Sequence, residues 1–562
     1  MFFGDTDGFF EIIKGTVPFY TIVFIPLFIL ISPMTPVLGA HEFTVYRMQH
    51  FDLHGTPHGC RSAAVNMEAR TLGSQTYTRR CVIARLRDLT HAHFEEIVQQ
   101  GAGGLLALLP TNYSSLKPEE KQHIMELERS LLEEEVQIPV YFSIETPELT
   151  EIYRNVQKSS SGKQAASAAE ELWGTLSASG FQLVVSNGQT KAQSDIQVTN
   201  IQGKLSGFGI EEQLPTIVLV AHYDTYGVAP GLAYGADSNG SGVAALLELA
   251  RLLSRLYTSS RTHPRFNLVF LLSGAGKFNF QGTKKWIEDN IDSSEGSLLP
   301  DALYTLCLES LGSQDELNLH VSKPPKEDSP GAIFFQELQR VGKMLYPELN
   351  ISMVHKKINL AEELLSWEHE RFSIRRLQAF TLSHFRSPKV LGRSSIMDRR
   401  EKVDLEKLAR NVRVIGEALA HYIYNLTSEE QQAEIITEGM SVQKEFLTAW
   451  LDHLTSQPRS AQLLSASSPS RSLVLTLEQA MARYLKEVKA TTFHPDKRDP
   501  EFVFYEPMTT SMNAYSVKPA VFDIFLAIVI SGYLCIVYLI VTNFHRVEGT
   551  LKQVSCQKFK HT

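Results

Sequence analysis

From Pro215 onward the chain alternates apolar runs with amphipathic ones, and this alternation restricts the fold more than any other feature. Pro215–Ala221 (PTIVLVA), Phe266–Leu272 and Leu303–Leu308 read as strands, with helices at Gly242–Leu256 and Gly282–Asn290 between them. Helices near 330–345 and 360–370, a strand at 379–383 and a long helix from Val403 to Asn425 continue the pattern. A strand without polar alternation has to be covered on both faces, and parallel neighbours need a crossover helix. The expectation over 207–426 is an α/β fold, a mainly parallel sheet flanked by helices. Residues 41–206 are mixed and read as an N-terminal α/β accessory region. They hold the apolar runs Gly104–Leu109 and Val140–Ile144, helical stretches near 118–135 and 164–178, and a Ser-rich loop at Ser159–Gly162. Residues 427–519 read as a helical and juxtamembrane region ending at Lys518-Pro519. Hydrophobic residues at 43% and charged residues at 21% exclude a disordered chain and a many-pass channel. With 54 Lys and Arg against 62 Asp and Glu the net charge is −8, so no direct nucleic-acid binding is expected.

Both ends are apolar. Val17–Ser32, followed by small residues up to Ala40, reads as a signal peptide over 1–40, cleaved near Gly39 or Ala40, with an uncleaved anchor as the alternative. Ala520–Thr542 is one apolar run, about 34 Å long as a helix at about 1.5 Å per residue, and reads as a transmembrane helix. Arg546, Lys552, Lys558 and Lys560 against Glu548 place the tail 543–562 in the cytosol and 41–519 outside it, a single-pass type I arrangement. The lysines at the third and fifth positions from the end resemble a dibasic signal for return to the endoplasmic reticulum, so that membrane is the expected location. Four sequons, at Asn112, Asn239, Asn350 and Asn425, fit a lumenal body, with Asn425 the favoured glycosylation site and the tight turn at Asn239 the least open. Cys60 and Cys81 either pair or stay as two buried thiols.

Ligand sites in open α/β sheets lie at the carboxyl ends of the strands. At the end of the first strong strand stand His222 and Asp224, two positions apart and therefore pointing the same way, so that Asp224 can orient the His222 imidazole. Tyr234-Gly235-Ala236-Asp237-Ser238-Asn239-Gly240-Ser241-Gly242 follows and opens a helix, with Asp237 in its glycine-rich turn.

This combination resembles the zinc-dependent, co-catalytic aminopeptidases over roughly 206–426. Matched to that pattern, His222, Asp224 and Asp237 keep the family's residue types. Gly282-Thr283 sets the register in the next motif, so Gly276 stands where the resemblance implies the general base and Lys277 where it implies a zinc-binding Glu. Glu309 keeps an acid where the family has Asp, and Ser394, four residues before Asp398, replaces the last His. A pseudoenzyme with no cofactor is implied, with a Lys277–Asp237 ion pair expected in place of zinc. His384 is the one histidine that could stand in for the missing ligand, though a lone His near a strand end is more often structural. The rival reading is a weak single-zinc peptidase or amidase using His222, Asp237 and Glu309.

His41–Met48, Gly235–Gly242, Lys356–Glu362 and Lys497–Tyr505 resemble the nicalins, a nicastrin-like and catalytically degenerate branch of this superfamily, along essentially the whole chain. The resemblance implies a scaffold of the endoplasmic-reticulum membrane. Its implied partners are the nodal modulator protein, a small polytopic membrane protein and a ribosome-associated translocon that handles multipass proteins, with a link to Nodal signalling.

Overall fold

The structure, a computed structural model, describes residues 41–542 apart from 134, 161–179, 186–189, 194, 292–298, 301, 427–433, 466–468, 496–499, 507–508 and 518–519. The signal segment 1–40, the helical stretch expected at 164–178 and the tail 543–562 lie outside the described residues.

The expected alternation builds an eight-stranded sheet. Across it the strands run Asn350–His355, Glu316–Val321, Ala379–Ser383, Ala302–Leu308, Thr216–His222, Asn267–Ser273, Val198–Leu205 and Lys486–Phe493. Its centre is parallel: Thr216–His222 lies between Asn267–Ser273 and Ala302–Leu308, and the latter pairs with Ala379–Ser383. Antiparallel strands extend both flanks. Period-two alternation sends Ile217, Leu219 and Ala221 to one face, under the helices Ser241–Thr258, Pro330–Leu345 and Leu405–Ile423. Val218 and Val220 go to the other face, where Trp286, Ile287 and Phe372 cover them. Helix Ser241–Thr258 seats its first turn against the neighbouring strand end because position 242 is Gly; a β-carbon there would lie 2.3 Å from the Leu308 carbonyl oxygen. Its buried Val243, Leu246, Leu247, Leu249 and Leu253 each contribute about 1.5–3 kcal/mol by leaving water.

The accessory region forms a closed seven-stranded barrel in the order His41–Arg47, Thr509–Val517, Gly180–Val185, Val65–Thr71, Cys81–Arg85, Gly104–Leu109 and Val140–Ile144. Two expected boundaries shift. The juxtamembrane stretch, read as an appendage of the α/β domain, supplies the strand Thr509–Val517 between His41–Arg47 and Gly180–Val185. Phe502–Phe504 likewise joins a small sheet beside His50–Leu53. In the other direction, Val198–Leu205 lies before the expected domain start at 207 but belongs to the eight-stranded sheet. The strands Glu316–Val321 and Asn350–His355 were not anticipated. Of the helix expected at 360–370 only the end forms, as His369–Ile374. Helix Pro147–Ser160 runs into the stretch expected as a Ser-rich loop. Cys60 and Cys81 are separate buried thiols.

The two bodies meet along helix Pro118–Glu133, whose Ile124, Leu127 and Leu131 share a core with Val228, Ala229, Leu232 and Ile396 of the α/β domain. Glu128, only 1% exposed, crosses this seam. Its carboxylate accepts from the Ser395 hydroxyl, from Ile396 N at 3.0 Å and from the Val228 backbone N–H. Burial, partly offset by these donors, pushes its pKa up to about 7. On the barrel, the strand His41–Arg47 and the strand leading to the last helix run antiparallel, with His41 opposite Ala514. That last helix is Ala520–Thr542. Among the described residues no helix is long and apolar enough to cross a membrane.

Candidate functional site

Parallel pairing brings His222 beside Ser273 and places Glu309 just past the end of Ala302–Leu308, so these two share one sheet edge. His222, Asp224, Asp237 and Glu309 are buried, whereas Lys277 is half-buried. His222 is 1% exposed, with Nδ1 3.4 Å from Glu368 Oε2 and Phe280 set edge-on against its ring. Glu368 also accepts from Ser273 Oγ at 2.7 Å and Thr283 Oγ1 at 2.5 Å. Glu368 was missed from sequence, because the helix expected at 360–370 left no reason to single it out. Asp224 does not orient His222 by a hydrogen bond. It accepts instead from Gly276 N at 2.5 Å and Lys277 N at 3.0 Å, closing the turn after Asn267–Ser273. Burial raises its pKa above the usual carboxylate value, against the pull of His222 and these amides.

Lys277 does not pair with Asp237 as expected. Its Nζ lies 3.1 Å from Glu309 Oε1, and Arg393 grips the same carboxylate with Nε at 2.8 Å and Nη2 at 2.9 Å. Burial alone would raise the Glu309 carboxyl, but Arg393, Lys277 and His222 outweigh it and hold the carboxyl well below its usual range. The Arg393 guanidinium stacks on Trp367 at 4.1 Å and donates to the Ser366 and Pro388 carbonyls. Arg393 adjoins the replaced ligand position Ser394, and a charged neighbour of that position was the signal by which sequence could have found it.

Asp237 belongs to a second cluster. It sits in the single π-turn Ala236–Gly240 that precedes helix Ser241–Thr258. Its Oδ2 meets His384 Nε2 at 2.6 Å and accepts from Ser313 Oγ at 2.7 Å, and its Oδ1 accepts from Gly312 N at 2.9 Å. Burial alone would raise this carboxyl; His384 outweighs it and lowers the pKa. Asp398 accepts from the Asp237 and Ser238 backbone N–H groups at 3.0 and 2.8 Å and fixes the turn from outside. His384 is therefore Asp237's partner. Ser394 stays apart, on the wall of a cleft of about 410 Å³ between the two bodies, with Phe51, Leu132, Tyr226, Leu364 and Leu391.

The donor set does not suit zinc. Glu309 is already neutralised by two cations, Asp237 is taken by His384, Ser313 and Gly312, and His222 Nδ1 is turned to Glu368. Among the described residues no group of three His, Cys, Asp or Glu side chains could share one ion. At Gly276 the geometry is closed as well: a β-carbon there would fall 2.3 Å from His222 Cβ. Of the sequons, Asn112, Asn350 and Asn425 are exposed, whereas Asn239 is 1% exposed and held by the Asp224 carbonyl and Arg459. The expectation of a glycan at Asn239 conflicts with this burial.

Residues 200–349 match Peptidase family M28. A Danio rerio protein named "BOS complex subunit ncln" is 50% identical over 98% of this chain and 98% of its own length. A Homo sapiens protein named "BOS complex subunit NCLN" is 49% identical over 96% of each. A Caenorhabditis elegans protein named "Nicalin" is 30% identical over 91% of this chain and 92% of its own. The chain belongs to the nicalin family. Its fold is also that of the crystal structure of the gamma-secretase component Nicastrin. That match has a TM-score of 0.59 and 12% identity, covering 84% of this chain and 100% of the other. The M28 match spans His222 through Glu309 but ends before Glu368, Arg393 and Ser394, so the residues that remake the site lie largely beyond it.

Proposed function

We propose that this nicalin-family chain is a non-catalytic scaffold with an aminopeptidase-like lumenal body, anchored in the endoplasmic-reticulum membrane as a single-pass type I protein. The packing at Gly276 carries the reading. A peptidase on this fold needs a carboxylate there to take the proton of the attacking water, and here His222 fills the space that any side chain would need. The two cations on Glu309 add to this, since a metal would have to displace both. The helix Ala520–Thr542, with Ile524, Leu526, Ile528, Leu534 and Leu539 exposed, and the basic tail support the membrane anchor. The exposed sequons Asn112, Asn350 and Asn425 support a lumenal body. The relatives' printed name, BOS complex subunit, supports membership of a protein complex. Partners carried over from the nicalin resemblance are the nodal modulator protein, a small polytopic membrane protein and a ribosome-associated translocon for multipass proteins. The link to Nodal signalling comes the same way.

Two measurements test this. The full chain, purified in mild detergent, is assayed on aminoacyl and amide substrates with added zinc; no turnover is expected. Turnover that disappears in His222→Ala would replace the scaffold with the weak single-zinc peptidase. Affinity purification in the same detergent, read by mass spectrometry, is expected to return the membrane partners in comparable amounts. Recovery of the chain alone would remove the scaffold reading.

A further inference from the structure

Glu501–Tyr505 takes no part in the function just proposed, yet it grips the loop that carries Lys277. Phe278, 1% exposed, packs edge-on against Phe502 at 5.5 Å and Phe504 at 4.6 Å, with Phe51 at 5.8 Å. Beside this aromatic clasp, the Glu501 carboxylate accepts from Asn279 Nδ2, from Lys284 Nζ at 3.2 Å and from Arg371 Nη2 at 3.3 Å. Asn279 reaches further: its Oδ1 accepts from Leu365 N at 2.9 Å and its Nδ2 also donates to the Glu363 carbonyl at 3.4 Å. Three consecutive side chains thus join three structures. Lys277 holds Glu309, Phe278 holds the Phe502–Phe504 strand, and Asn279 links Glu501 to 363–365.

Two features indicate that these contacts do conformational work. Ala275, Asn279 and Phe280 have φ of +50°, +55° and +53°, a left-handed region that is strained for residues such as Ala and Phe and persists only where the surroundings enforce it. The partner stretch 359–366 is held against its own preference. Asn359 with Glu362 three residues later is a helix-start pattern, and Leu360 and Leu364 are one turn apart. Instead of a helix it forms turns, with Leu360 78% and Leu364 43% exposed.

We propose that Glu501–Tyr505 is a conformational strap, through which the chain leading to the membrane helix fixes the Lys277 loop and, by way of Asn279, the non-helical form of 359–366. The strap rests on the membrane reading of Ala520–Thr542. Coupling of this kind is established only when a change at one end moves the other. Hydrogen–deuterium exchange on the full chain in lipid nanodiscs compares wild type with Glu501→Gln. Exchange at least threefold faster is expected in both 275–281 and 359–366, with 330–345 and 405–423 unchanged. Acceleration confined to 500–506, or none at 359–366, overturns the proposal. If 330–345 also accelerates, the variant has unfolded and Glu501→Asp is read in its place by the same criteria. Protection of 520–542 in the same data tests the membrane reading separately.

Discussion

Neutralising Glu128 tests whether the seam between barrel and sheet is sensitive to protons. The carboxyl is 1% exposed, and burial moves its pKa from 4.5 to about 7 against the opposing pull of its hydrogen-bond donors and of Arg399. A carboxyl raised by folding binds its proton more tightly in the native state, so its contribution is complete below about pH 4.5. It is lost as pH rises towards 7 and stays lost above. Raising the carboxyl from 4.5 to about 7 corresponds to about 3–4 kcal/mol at about 1.4 kcal/mol per pH unit. Because the Ile396 and Val228 amides donate directly to this carboxylate, their native-state hydrogen exchange reports the seam. After correction for intrinsic exchange rates, protection at these amides in wild type is expected to fall roughly 70-fold from pH 5 to pH 8. Glu128→Gln keeps an acceptor without a titrating proton and should flatten that fall while leaving 405–423 unaffected. Equal pH profiles in wild type and variant would refute the argument, because the buried carboxyl would then have no linkage to the seam.

Gly276→Ala should destabilise the chain by about 1–3 kcal/mol through the clash with His222, and Gly276→Glu should remain inactive with added zinc; thermal melts and the amide assay read the two effects. Arg393→Met leaves Glu309 with Lys277 alone and should cost about 3–5 kcal/mol in a melt, with Arg393→Lys recovering only part because the two-pronged grip is lost. Asn425→Gln, Asn112→Gln and Asn350→Gln should each abolish one glycosidase-sensitive gel shift where that sequon is used, whereas Asn239→Gln should leave the pattern unchanged.

The central parallel strands were legible because residues such as Ile217 to Val220 have no polar alternation, and only a sheet covered on both faces accommodates such a run. His222 and Glu309 were legible as a shared edge because parallel pairing aligns strand ends. What sequence did not carry was partner choice at that edge. Lys277 lies 3.1 Å from Glu309 rather than beside Asp237 because Asp224 captures the 276–277 amides and turns the lysine towards the Ala302–Leu308 strand. Glu368 and Arg393 arrive from loops whose positions depend on tertiary contacts, and a loop has no period to read. Thr509–Val517 was missed for a related reason: its neighbours in space are hundreds of residues away in sequence, so no local pattern announces the pairing.

The Thr509–Val517 strand also sets the order of events during synthesis. Its two neighbours, His41–Arg47 and Gly180–Val185, are made early, while the strand that joins them is the last strand to leave the ribosome before the apolar helix. At about 5–20 residues per second, the gap between residues 185 and 517 lasts roughly 15–70 s, during which both edges stand open to other chains. The barrel is therefore completed only when the helix Ala520–Thr542 is itself being made. A ribosome that stalls inside 427–500 leaves behind a sheet domain nearly complete and a barrel with two unpaired edges.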